Sequence, residues 1–167
     1  MTTNQLIWKA ARDANGKISY FLSGSITENS PMQKFASEIQ AFSGHTISLD
    51  MSGVHEVNSS GIANWMKFIE FLKNNNIKAE FVNCSVTIIQ QMNMVRQFNG
   101  GFKVKSLFAP YFCPNCDEES EVLVTIPEGA TSSIVDLKDS LKCETCNNNK
   151  EFDDIADSYL SFLDIKQ

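Results

Sequence analysis

At 167 residues, 43% of them apolar, the chain suits one compact domain plus a small appendage, and no run approaches the roughly 20 apolar residues of a membrane span. Its start, MTTNQLIWKAAR, lacks the charged-then-apolar order of a secretory signal, so a cytoplasmic, reducing compartment is expected. The net charge of −6 is uneven: residues 1–106 hold ten Lys/Arg against seven Asp/Glu (+3), and residues 107–167 hold four against thirteen (−9), which argues against nucleic-acid binding by the second part because phosphate contacts need cations.

The first 106 residues alternate strand-like and helix-like patterns, the mark of an α/β domain. LIWKAAR (6–12) and KISYFLSG (17–24) predict a hairpin that turns through Asp13, Asn15 and Gly16. Ser30 is the expected cap of a first helix, with Pro31 at its first helical position. Phe35, Ile39 and Phe42 form its apolar stripe, and Gly44 stops it. TISLD (46–50) reads as a short buried strand, and MSGVHEVNSS as the loop after it. A second helix over 62–73 carries Ile62, Trp65, Met66, Ile69 and Leu72 at helical spacing. AEFVN (79–83) is the next strand. A third helix, 86–98, buries Ile88, Ile89, Met92 and Val95 before Gly100 and Gly101 break it. FKVKSLF (102–108) reads as a last edge strand.

From Pro110 the pattern changes. YFCPNC reads as a knuckle, SEVLVTI (120–126) as a strand, PEGATS as a turn and SSIVDLK (132–138) as another strand leading to CETC. Asp153 and Asp154 are expected to cap a closing amphipathic helix whose stripe is Ile155, Tyr159, Phe162 and Leu163. Two closely docked units follow: an α/β domain over 1–106 and a smaller unit over 107–167.

Cys113/Cys116 and Cys143/Cys146 are two Cys-x-x-Cys pairs separated by 26 residues. Each can present two thiolates from one tight turn, and two such turns complete a tetrahedral zinc site. Four thiolate ligands leave no open position for water or substrate, so a zinc ion here is structural, with a binding free energy of about 10–16 kcal/mol available to hold a small unit together. A redox dithiol at CPNC is the alternative chemistry; it needs no second pair. Cys84 has no partner pattern and is expected to be a small buried group. His45 and His55 are expected to be solvated.

DMSGVHEVNSSG (50–61), followed at once by an amphipathic helix, resembles the signature of STAS domains, the fold of anti-sigma-factor antagonists and sulfate-transporter tails. LSGSIT (22–27) resembles a second landmark of that family. The resemblance covers residues 5–106 and implies a mixed β-sheet with helices packed on it; the cysteine unit, which reads as zinc-ribbon-like, lies outside it. It also implies a protein partner, a kinase or anti-sigma-type regulator, meeting the chain at Asn58, Ser59, Ser60 and Gly61. The family's phosphorylated serine corresponds to Ser59. Asn58 and Thr27 stand where the family carries Asp. Capping of the second helix by Ser59 or Ser60 is the structural alternative.

No Ser/His/Asp order with supporting motifs, glycine-rich phosphate loop or open metal site emerges. The expectation is therefore a non-catalytic regulatory binding module. Two alternatives stay open: a phospho-switch at Ser59, and a thiol redox sensor.

Overall fold

The computed structural model describes residues 5–137 and 141–164. Strands β1 (Ile7–Arg12) and β2 (Ile18–Ile26) pair antiparallel. Strands β3 (Thr46–Val57), β4 (Lys78–Val82) and β5 (Lys103–Val104) then add in parallel, giving the order β1-β2-β3-β4-β5. Parallel neighbours need crossovers, and helices α1 (Met32–Ile39), α2 (Ser59–Asn74) and α3 (Val86–Met94) supply them. This is the mixed α/β sheet expected from the sequence.

Aromatic packing fixes α1 and α2 on the sheet. Phe35 of α1 stacks on Phe68 of α2 at 4.9 Å and meets Trp8 and Tyr20 of the hairpin. Trp65 is fully buried among Phe68, Phe81 and Phe98. Its indole N–H donates to the Phe98 carbonyl at 2.9 Å, so this large side chain is enclosed without an orphaned donor.

Four local expectations change. Ser30 does not cap α1. Its hydroxyl accepts from the Thr27 N–H and donates to the Ser25 carbonyl, closing the turn after β2 instead. The strand read as 46–50 runs on to Val57, through the segment expected to be loop. The turn chemistry is present, because Asp50 Oδ1 accepts from the N–H and hydroxyl of Ser52, but β2 continues to Ile26 and keeps offering a pairing edge. Two register shifts absorb the irregularity, and Gly53 lets the strands close: a Cβ there would lie 2.5 Å from Ser23 Cβ. Helix α2 begins at Ser59, three residues earlier than expected, and its cap is Asn58, not Ser59 or Ser60. Helix α3 ends at Met94, leaving Val95 half-buried in an extended conformation.

The segment read as one edge strand over 102–108 divides. Lys103–Val104 completes the first sheet, and from Ser106 the chain enters a second one. There β6 (Ser106–Cys113) lies between β7 (Glu118–Thr125) and β8 (Glu151–Phe152), antiparallel to both. The two sheets are tied at Ser106. Its hydroxyl exchanges hydrogen bonds with Asn83, and its carbonyl accepts from the Cys84 N–H. One contiguous set of buried side chains extends from Leu6 to Phe162.

The strand expected over 132–138 is absent from 132–137, and Lys138 lies outside the described residues. The alternation that suggested it is real, since Val135 and Leu137 are buried and Asp136 is exposed. The chain turns instead: the Ile134 N–H reaches the Thr131 carbonyl, and Ser132 is bound by the Asp164 carboxylate through both its N–H and its hydroxyl. Burial of alternate residues is thus met without a ladder.

The closing helix is also interrupted. It forms one turn, α4 (Ala156–Tyr159), and then a 3₁₀ turn over Ser161–Asp164. Asn93 of α3 is the cause: its amide N–H donates to the Tyr159 carbonyl, and its Oδ1 accepts from the Phe162 N–H. Both groups would otherwise serve the next α-helical turn. The buried residues become Tyr159, Leu160 and Phe162, and Ile155, expected on the stripe, is 72% exposed. Among the described residues no helix is long and apolar enough to cross a membrane.

Candidate metal centre and the exposed helix start

Two loops of the same design bring the cysteines together. Strand β6 delivers Cys113, and the chain reverses into β7. The Asp117 N–H donates to the Cys113 carbonyl at 2.9 Å, and Asp117 is left-handed with φ 57°. In the second loop the Asn147 N–H donates to the Cys143 carbonyl at 2.9 Å, and Asn147 has φ 59°. Asp and Asn are the non-glycine residues that best tolerate this conformation. The second loop is the tip of a narrow hairpin, closed by a bridge between Lys142 and Asn149 and by the Cys143 N–H on the Asn148 carbonyl.

The four sulfurs of Cys113, Cys116, Cys143 and Cys146 all lie within 4.8 Å of one another, the arrangement that one four-coordinate metal ion requires. No disulfide links them. Contacts of 3.4 Å run between the loops, Cys113 to Cys146 and Cys116 to Cys143, and the Cys116 thiol also reaches Cys113 within the first loop. Cys113 and Cys143 are buried, whereas Cys116 and Cys146 are half-buried. All four residues singled out from the sequence are therefore in one place.

The electrostatics favour loss of a first proton at Cys113. Burial alone would raise that thiol, but N–H donors from Cys116 and Asn115, with the thiols of Cys116 and Cys146, bring it down to about 6. Cys116 is pushed up, chiefly because it donates to Cys113 and Cys143.

Two charged residues near the cluster carried no signal in the sequence. Glu118 Oε2 lies 3.5 Å from the Cys143 sulfur and 3.6 Å from the Cys116 sulfur, and it accepts from the Thr145 hydroxyl at 2.7 Å. That hydroxyl, followed by the Cys143 thiol, holds the Glu118 carboxyl below its usual range. Lys150 is buried and donates to the Ser120 hydroxyl at 2.9 Å. Both look like ordinary surface charges in the sequence; only the register of β7 against the second loop reveals their place.

The second candidate site is the start of α2. Asn58 Oδ1 accepts from the Gly61 N–H at 2.7 Å, and Asn58 Nδ2 donates to the Glu28 carboxylate at 3.0 Å. Glu28 is held below its usual carboxyl range chiefly by that bond. Ser59 and Ser60 are exposed; Gly61 is buried, and a Cβ on it would lie 2.0 Å from the Ile26 carbonyl oxygen. Gly61 therefore serves close approach of the helix to the end of β2. Cys84 is fully buried, as expected, and burial pushes its thiol up. His45 and His55 are both exposed.

Neither the protein-family models nor the curated proteins compared with this chain give a match.

Proposed function

We propose that the chain is a non-catalytic protein-interaction module of the STAS type, resembling an anti-sigma-factor antagonist, with a ribbon-like second unit (107–167) held by a structural zinc ion. The four-thiol cluster carries this proposal. Zinc with sulfurs at about 2.3 Å needs its ligands about 3.8 Å apart, and four cysteines converging from two loops suit that ion. With every ligand position filled by protein, the centre holds the fold together and leaves no place for substrate. All four sulfurs converge on one point, which favours one shared ion over a redox dithiol, since that chemistry needs only a single Cys-x-x-Cys pair.

The binding role draws on the DMSGVHEVNSSG segment, which leads β3 into α2 and leaves Ser59 and Ser60 exposed. The parallel series β2 to β5, with β1 antiparallel at its edge, agrees with the same resemblance. A cytoplasmic protein partner, a kinase or an anti-sigma-type regulator, would meet the chain here.

One observation favours regulation of this surface by phosphorylation of Ser59. The family Asp is replaced by Asn58, but Asn58 holds the Glu28 carboxylate beside the helix start, so the rim keeps an acidic group. A phosphate on Ser59 would meet the free N–H groups and positive end of a 16-residue helix and add about two negative charges to the contact surface. Recovery of cross-linked partners from the native cell, compared between the parent and Ser59→Asp, tests the placement. The parent should capture a partner that the variant loses; equal capture would put the binding surface elsewhere.

A further inference from the structure

Lys150 retains 7% of its exposure, and among the described residues its ammonium forms no ion pair; its hydrogen bond goes to the neutral Ser120 hydroxyl. A buried cation is costly unless negative charge lies close by, and the Glu118 carboxylate is near enough to feel the Lys150 charge. Its place in the fold supplies that charge. The Lys150 N–H on the Leu141 carbonyl closes the hairpin whose tip carries Cys143 and Cys146. Ser120 stands two residues from Glu118 on the same face of β7. A divalent ion held by four thiolates has a net charge of about −2, next to the carboxylate of Glu118. Lys150 is thus placed to offset the Glu118 carboxylate and, beyond it, an anionic four-thiolate centre.

Glu118 presents the opposite case. Its carboxylate accepts from the Cys116 and Cys143 thiols and is anchored separately by Thr145. Metal ligation requires those thiols to lose their protons. An anchored carboxylate then faces two thiolates with no hydrogen between them. N–H donors to sulfur would strengthen such a centre, whereas a carboxylate weakens it.

We propose that Lys150 and Glu118 are opposed electrostatic controls on how tightly the four-cysteine centre keeps its ion: the lysine offsets the excess negative charge, and the glutamate adds to it against Cys116 and Cys143. The centre is then poised for exchange on the side where Cys116 is half-exposed, and folding of the second unit responds to zinc supply. This rests on the assignment of the cluster as a divalent-metal centre.

The test is the transfer of zinc from the loaded full-length protein to a chromogenic chelator. Replacing an outer partner of a metal ligand typically changes affinity by about 10–100-fold. Lys150→Met should release zinc about tenfold faster than the parent, and Lys150→Arg should behave like the parent. Glu118→Gln should release it about tenfold more slowly. The opposite signs are the decisive feature, because loss of a merely structural contact would loosen the centre in both variants. Slower release from Glu118→Gln cannot arise from misfolding, so that arm decides the matter even if Lys150→Met fails to fold. Equal or faster release from Glu118→Gln would overturn the proposal. A parent chain that takes up no zinc would instead remove the metal assignment on which it rests.

Discussion

Strands β2 to β4 lie under helices and belong to a core that encloses Trp65, Phe35, Phe81 and Phe98 completely, whereas β7 of the second sheet alternates half-buried and exposed residues along its whole length and leaves Leu123 about half exposed. The first region can be held by apolar burial alone. The second is uneven: β6 and the closing segment join the common core through Leu107, Tyr111, Tyr159 and Phe162, whereas β7 removes little apolar area from water. Three ties add to that burial: four thiols, the Ser106 junction with the first sheet, and the closing segment docked on Asn93. Stability in one region is spread over many side chains, and in the other it is concentrated at a few points.

The largest expected contrast follows from Cys113→Ser. Structural zinc centres contribute about 10–16 kcal/mol of apparent binding free energy, so loss of one ligand should unfold the second unit locally. Hydrogen exchange should show β6 and β7 unprotected while β2 to β4 stay protected. Undiminished protection across β6 and β7 would mean that the second sheet does not depend on its cysteines.

Trp65→Ala tests the other side of the comparison. Removing this enclosed ring should cost about 3–5 kcal/mol, read from the denaturant midpoint, and should weaken the first sheet as a whole. A shift under about 1 kcal/mol would contradict distributed burial as its source of stability.

A smaller effect is expected from Asn93→Ala. It strips the Tyr159 carbonyl and Phe162 N–H of their side-chain partner, at about 1–3 kcal/mol for the groups left unpaired. Exchange should quicken at Phe162 and its neighbours, with the first sheet unchanged. The smallest effect belongs to Asn58→Ala, about 1 kcal/mol for a lost helix cap, seen as faster exchange at the Gly61 amide. An unchanged rate there would show that Asn58 does not cap α2 in solution.

The four-thiol cluster was legible because two Cys-x-x-Cys pairs in one chain have few other uses, and the α/β alternation was legible because each element buries a periodic face. What stayed hidden depends on contacts between distant residues. Asp50 and Ser52 form the turn their types suggest, but the edge offered by β2 keeps the segment in the sheet. The closing helix has the periodicity of a longer one, and Asn93, more than 60 residues earlier, diverts its hydrogen bonds. Ser30 is spent on the turn after β2 and so is lost to α1. Glu118 and Lys150 are chemically unremarkable until β7 and the second cysteine hairpin are laid side by side.

Native mass spectrometry of the chain, purified under reducing conditions without added chelator, tests the central claim most directly. One zinc ion per chain is predicted, present in the parent and missing from the Cys113→Ser variant. A parent mass equal to that of the bare polypeptide, with all thiols free, would contradict it.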